Sequence, residues 1–463
     1  MTEKKLYKKS LFIFRRDLRL EDNNGLIEAL DNSEQVILLF IFDPQQAYPQ
    51  KNEYFSENAF EFMIASLKEL ESSANAKKAK LYLAEGTYEK VLPQWIKDNE
   101  IEAIFVNKDY TPFARKRDGV IDKICKSNKI EFIRIADYAL SMIEDVVTGQ
   151  GKRYSVFTPF MNAAKKTDVA YPRKNNFNNY YSQKVKSATV SIEKYDIFTN
   201  PHIAMQGGRS HALKRMRDDS FVATYGKNRD LPAISGTSKL SPHIKFGTVS
   251  IREVYYFAKE AKANSTKFIN ELYWRDFYMY ISYHYPHVFE KSFQRRGNEI
   301  KWINNKNHFE KWCQGKTGVP FVDAGMRQLN KTGWMHNRVR MVVASYLTKN
   351  LLIDWRWGEK FFAQKLVDYD SSSNNGGWQW SASLGADPKP IRIFNPYTQA
   401  QKYDPDAKYI KQWVSELKNI DTALLIDGKD KDFSEYKKNY CSPLVNQKES
   451  FHRAMETYRA AKK

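Results

Sequence analysis

Cysteine is scarce: the 463 residues hold three, Cys125, Cys313 and Cys441, far apart in the chain. That spacing excludes a disulfide framework and a cysteine-based metal site, and reads as reduced structural thiols. No run of 18 or more apolar residues occurs, so no transmembrane helix is expected. The run Leu11-Phe-Ile-Phe14 is too short for a signal-peptide core, and Arg15-Arg16-Asp17 ends it. The protein is therefore expected to begin near Met1 and to stay inside the cell. No Gly-x-Gly-x-x-Gly follows the first apolar run, which excludes the standard dinucleotide fingerprint.

Positive charge is abundant. Lys plus Arg number 74 against 54 Asp plus Glu, a formal net charge of +20. A polyanionic partner and a merely basic, soluble surface explain this equally well. Tryptophan is unevenly placed: of the ten, only Trp95 lies outside the stretch from Trp274 to Trp413. Indoles so concentrated suit stacking on a ring ligand, stacking on bases or electron transfer, and a packed helical core suits them too.

A chain of this length is expected to hold two or three domains. Residues 1–140 alternate short apolar runs with helical segments. The runs are Ser10–Phe14, Val36–Phe42, Lys80–Leu83, Ala103–Val106 and Glu131–Arg134, and helices are expected at Glu57–Ser72 and Arg117–Ser127. That alternation predicts an α/β domain, a Rossmann-like parallel sheet covered on both faces. Residues 141–200 form an interdomain connector. Its polar stretch from Thr167 to Asn200 is expected to lie over the surface. Residues 201–463 are expected to be all-helical. Helices are predicted at His211–Met216, Ser250–Ala263, Thr266–Tyr285, Val322–Leu329, Arg338–Lys349, Trp357–Asp368 and Glu449–Lys463.

Glu271, Trp274, Arg275 and Tyr278 stand at offsets 0, 3, 4 and 7, on one helix face. An acid, an indole, a guanidinium and a phenol together suit a cavity wall; an exposed ion-paired face is the plain alternative. Trp334, Asn337, Arg338 and Met341 repeat the offsets and predict a second such face; a helix end with a buried indole and solvated polar neighbours is the plain alternative. Asp368 to Trp380 is richer still: the paired Gly376 and Gly377 allow close backbone approach, and Asp368 and Asp370 offer acceptors. If that segment is helical, Trp378 and Trp380 point in different directions. Gly236 to His243 is a hydroxyl-rich loop that suits a phosphate or serves as a helix cap.

These segments together resemble the photolyase and cryptochrome family, over nearly the whole chain. The resemblance runs through Phe12–Leu20, Phe157–Phe160, Gly236–Pro242, Asn270–Phe277, Gly333–Arg340, Asn374–Trp380 and Arg392–Pro396. It implies a helical domain that binds FAD. Tyr225, Thr237, Ser238, Lys239, Leu240 and Ser241 would surround the diphosphate. Phe268, Glu271 and Arg275 would line the floor, Asp368 (with Arg340 as partner) and Asp370 would meet the ribityl–isoalloxazine end, and Asn374 would lie beside flavin N5. Asn337, Met341 and Asn374 are similar to those of class I cyclobutane pyrimidine dimer photolyases; a cryptochrome-like blue-light photoreceptor is the alternative.

The implied activity is light-driven electron donation from reduced FAD to a dimer in ultraviolet-damaged DNA, by a monomer in the cytoplasm or at the nucleoid, or in the nucleus of a eukaryote. Trp274 and Trp380 would stack on the dimer, with Glu271 and Asn337 hydrogen-bonded to it. Arg229, Arg338 and Arg392 would meet phosphates, and Trp378, Trp355 and Trp302 would relay electrons to oxidised flavin. No metal is expected. A second, antenna chromophore is implied. Phe113 and Ala114 replace the Asn-Glu pair of folate-binding members, which disfavours folate and leaves a deazaflavin, a flavin or an empty site.

Overall fold

All five apolar runs pair in parallel, in the order β3-β2-β1-β4-β5. The strands are β1 (Tyr7–Phe14), β2 (Ser33–Phe42), β3 (Leu81–Glu85), β4 (Ala103–Asn107) and β5 (Glu131–Ile135). The computed structural model describes residues 5–261, 264–387, 391–436 and 438–461. Side chains alternate across a strand, so each strand feeds two cores. Phe12, Leu38 and Phe40 pack with α1 (Asn24–Asn32) and α2 (Glu57–Ala76) on one face. Leu11, Ile13, Ile37 and Leu39 pack with α3 (Tyr88–Asn99) and α4 (Pro112–Ser127) on the other. Burial on both faces is why these strands read as unbroken apolar runs. Chain order reverses between β1 and β4, and ligands favour the crevice beyond the strand ends at such a point.

The stretch expected to lie over the surface is more deeply set than its polarity suggested. A helix, α5 (Phe157–Ala164), precedes it and buries Phe157 and Phe160. Beyond it, the amides of Val36 and Val190 donate to Asn179 and Leu83 carbonyls at 3.0 and 2.8 Å. The Tyr195 ring stacks on Phe42 with centroids 3.7 Å apart. Asn and Tyr heads satisfy the irregular backbone while the rings plug the core, so a polar composition coexists with burial.

Among the described residues, the chain after 200 contains helices and no strand. In order these are α6 (Arg209–Met216), α7 (Ser220–Asn228), α8 (Ser241–Phe246), α9 (Ile251–Glu260), α10 (Thr266–His284), α11 (Lys306–Cys313), α12 (Pro320–Thr332), α13 (Asn337–Ser345), α14 (Trp355–Lys365) and α15 (Ser371–Ser381). Four more follow: α16 (Pro396–Tyr403), α17 (Lys408–Trp413), α18 (Thr422–Ile426) and α19 (Gln447–Ala460). The helix predicted over Arg338–Lys349 ends as α at Ser345 and continues as one wider π turn, Tyr346–Asn350. Ala263 and Lys463, the predicted ends of α9 and α19, lie outside the described residues.

Sheet and helices meet through buried charge. Asp137 accepts from Arg19 at 2.5 Å and from Arg252 at 2.7 Å, and Arg252 also reaches Asp22 at 3.1 Å. All four side chains are at most 6% exposed. Burial alone would raise the Asp137 carboxyl; Arg19 and Arg252 outweigh it and hold the group below the ordinary carboxylate range. Removing one partner strands the others' charge in a dry interior. Arg252→Met is therefore expected to destabilise by about 3–5 kcal/mol in urea denaturation. In the native protein the Asp137 contribution is complete above the unfolded carboxyl value of about 4 and is lost as pH falls toward the lower folded value.

Candidate active site

A cavity of about 510 Å³ opens between α7, α10, α13 and α15. The predicted α10 face is real: Glu271, Trp274, Arg275 and Tyr278 all line it. Asn337, Arg338 and Met341 line it from α13. Trp334 does not share that face, because the helix starts at Asn337, after the Gly333 turn, with His336 as its cap. Trp334 instead packs toward the sheet domain. The segment after Asp370 is helical, with the Asp370 carboxylate capping α15 through the Ser373 amide. Trp378 and Trp380 diverge as a helix requires; both reach the wall, as does Asn374 between them and the cap.

The other predicted ligands divide. Tyr225, Ser238, Ser241, Phe268, Arg340, Asp368 and Asp370 line the cavity. Leu240 is fully buried in the helical core, so only its backbone is available to a ligand. Lys239 has a left-handed backbone, φ 54°, and its ammonium lies 5.8 Å from the Trp334 ring centroid. The Thr237 carbonyl accepts from Arg215 at 3.2 Å. These three, with Trp302, Trp355 and Arg392, stand outside the cavity lining. Arg392 is exposed at the edge of a smaller hollow that it shares with Trp380 and Lys349.

Each lining arginine already has a carboxylate. Arg229 holds Glu271 at 2.6 Å, Arg338 holds Asp230 at 2.8 Å, Arg340 holds Asp368 at 2.9 Å and Arg275 holds Asp276 at 3.2 Å. Burial raises the Glu271 carboxyl, and Arg229 opposes it. Ser241 donates to Asp368 at 2.7 Å. Asp370 is paired with Arg16, from the end of β1, at 2.5 Å. Burial would raise Asp370; Arg16 and Arg275 outweigh it and hold it well below the usual range. One face of the Trp274 indole is covered by Phe157, stacked at 3.7 Å, so only the other can take a ligand. Trp378 packs edge-on against Phe362 and Trp312, centroids 5.0 and 6.0 Å away.

A second cavity, about 490 Å³, lies at the carboxyl ends of β1 and β2, where the topology favours ligands. Phe40, Phe42, Phe55, Phe60 and Tyr54 give it an aromatic wall, and Phe113 contributes from α4. Tyr369 faces it while Asp368 on one side lines the first cavity and Asp370 on the other lines both. Among the described residues no cluster of His, Cys, Asp and Glu could hold a metal ion.

Residues 268–460 match the FAD binding domain of DNA photolyase, and residues 10–175 match DNA photolyase. A deoxyribodipyrimidine photo-lyase of Synechococcus is 37% identical over 94% of this chain and 93% of its own. The chain belongs to the DNA photolyase family. The Escherichia coli deoxyribodipyrimidine photo-lyase is 34% identical over 97% of this chain and 98% of its own. Among solved structures, an archaeal photolyase from Sulfolobus tokodaii, described with two FAD molecules, superposes with TM-score 0.87 at 41% identity. It covers 98% of this chain and 100% of its own. A Synechocystis cryptochrome superposes with TM-score 0.86 at 28% identity, over 98% of this chain and all of its own.

The residues present suit the FAD of a photolyase. The cavity has the size of a cofactor site. Serine hydroxyls and arginines are among its lining groups, and the space beside Gly377 is open. Glu359, on α14, had no motif to mark it. Its carboxylate accepts from Asn374 Nδ2 at 3.2 Å and its carbonyl at 2.9 Å, which leaves Asn374 Oδ1 as the acceptor for a ligand. Burial pushes the Glu359 carboxyl up to about 7, and the Asn374 contact only partly opposes this. A carboxyl raised on folding takes up protons in the native state, so its ionisation weakens stability as pH rises from about 4.5 to 7. Glu359→Gln is thus expected to gain roughly 2–3 kcal/mol relative to wild type between pH 5 and pH 8. Urea denaturation of both proteins at the two pH values checks it.

Proposed function

We propose that this protein is a class I deoxyribodipyrimidine photo-lyase, which repairs cyclobutane pyrimidine dimers in DNA with light. The observation that carries the reading is one cavity whose wall joins the flavin-type residues Asp368, Asp370 and Asn374 to Glu271, Trp274, Asn337, Met341 and Trp380. Bound FAD, once reduced and excited, would supply the electron that ring opening needs and take it back, with no net oxidation. The chain's own residues bind and orient. A dimer is poorly stacked and is cheaply extruded from the duplex. The open face of Trp274 and the Trp380 ring take it. Glu271 and Asn337 hydrogen-bond its pyrimidine edges, and Met341 fills the space between.

Arg229, Arg338 and Arg392 meet DNA phosphates. Arg229 and Arg338 exchange Glu271 and Asp230 for phosphate on binding, which frees Glu271 for the dimer. Tyr225, Thr237, Ser238, Lys239, Ser241 and the Leu240 backbone hold the diphosphate side of FAD; Phe268 and Arg275 form the floor. Trp378, buried Trp355 and half-buried Trp302 relay electrons inward when the flavin is oxidised. Phe113 on the second cavity's wall, where folate binders carry polar residues, favours a flavin there; the Sulfolobus relative is described with two FAD molecules. The protein works as an intracellular monomer. Residues 1–140 carry most of the antenna site, closed by Lys245, Phe246 and Tyr369; 141–200 connect, and 201–463 hold FAD and DNA.

Irradiated oligo(dT) mixed with reduced protein under blue light should regain thymine absorbance, while six-four products stay unrepaired. Flavin-loaded protein that gives no light-dependent recovery refutes the reading. Trp302→Phe should slow photoreduction of oxidised FAD strongly yet leave repair by pre-reduced enzyme nearly unchanged, because that electron starts on the flavin. Transient absorption and the same repair assay read the two effects.

A further inference from the structure

The two cavities share a wall, and one charge in that wall is unlike the rest. Arg16, Lys245, Tyr369 and Asp370 stand between the cavities; Lys245 and Asp370 line both. Every arginine lining the first cavity has a carboxylate partner. So has every arginine lining the second: Arg15 and Arg117 share Asp118 at 2.5 and 3.4 Å, and Arg16 holds Asp370. Among the described residues, Lys245 alone of these lining cations has no ion pair. Its Nζ lies 3.3 Å from the centroid of the Phe246 ring, on the same short helix, α8. Lys245 is partly buried, and among the described residues its ammonium lacks a directly paired counter-ion. An anionic ligand in either cavity would supply one.

We propose that Lys245 couples the two cavities: an anionic group bound in either one draws a proton from solvent onto the amine, and the charge so fixed favours an anionic ligand in the other. The inference rests on the reading of both cavities as flavin sites. Each flavin nucleotide carries phosphate, so both cavities would hold a ligand of the required sign. The groups facing the amine are Arg16 from the sheet, Asp109 after β4, and Asp368 and Asp370 before α15. Burial, reinforced by Arg16, lowers the amine to about 7, and Asp370, Asp109 and Asp368 pull less strongly the other way. Above that pH the ligand-free amine is mostly neutral. A bound anion raises its value, so binding is strongest below pH 7 and weakens as pH rises through the raised value. The change is about tenfold in affinity for each unit of the rise. A second anion then meets a charge already in place, and linkage makes the effect mutual.

The test uses FAD-loaded protein, flavin mononucleotide as anionic probe of the second cavity and riboflavin as its neutral counterpart. Retained FAD is measured by chromatography after gel filtration, at pH 6 and pH 8.5. At pH 8.5 the mononucleotide should slow FAD loss several-fold and riboflavin should not. At pH 6, where the amine is charged beforehand, the mononucleotide should add little. Lys245→Met should abolish the difference at both pH values, and Lys245→Arg, charged throughout, should retain FAD tightly without the probe. Should Lys245→Met fail to load FAD, loading restored by Lys245→Arg supports the coupling, and loading not restored overturns it. A mononucleotide that does not bind the loaded wild type, protects it equally at both pH values, or still protects Lys245→Met also overturns it. Repair by wild-type enzyme is read separately, so either idea can fail alone.

Discussion

Two arginines and two aspartates, buried together, fasten the sheet to the helices. Arg19, Asp22 and Asp137 come from the sheet side and Arg252 from α9. A buried pair exchanged for apolar groups would often be neutral in stability, but a docking that left any of these four charges unmatched would cost several kcal/mol. The matched geometry sets where the end of β1 lies. Arg16 then reaches Asp370, Asp370 caps α15, and α15 presents Asn374, Trp378 and Trp380 to the cavity. The position of the chemistry thus depends on an electrostatic contact between segments far apart in sequence.

The cavity follows the same economy of charge. Its arginines are held by carboxylates in the absence of ligand, so the basic wall neither collapses nor repels. Glu271 and Arg229 form the most informative pair, because both line the cavity and each holds the other in place. Pairing keeps both oriented and neither charge unmatched. Close packing sets the remaining tolerance. A side chain on Gly358 would stand 2.1 Å from the Trp378 ring, and one on Gly376 would stand 2.0 Å from Tyr278, so α15 sits tight against α14 and α10.

The sheet was legible because strands buried on both faces leave apolar runs that little else produces. The α10 face was legible from its spacing of 3 and 4, and the Asp368–Trp380 segment from its glycines. Trp334 misled because periodicity carries no mark of where a helix starts; Gly333 breaks the turn before Asn337. The connector misled because polar residues that satisfy an irregular backbone resemble surface loops. Glu359 and Lys245 carried no signal at all. Each is one charged residue on an amphipathic helix, ordinary until folding places it against Asn374 or between two cavities. Leu240 lay within a motif whose hydroxyls were informative, yet its own side chain belongs to the core.

The fastening at the domain junction also bears on how the chain is made. Arg16 leaves the ribosome 354 residues before Asp370. At roughly 5–20 residues per second, Arg16 waits on the order of 20–70 s for that partner. Arg19 meets Asp137 early, but Arg252 must arrive before Asp22 and Asp137 are fully matched. The junction therefore closes only when the helices have been synthesised.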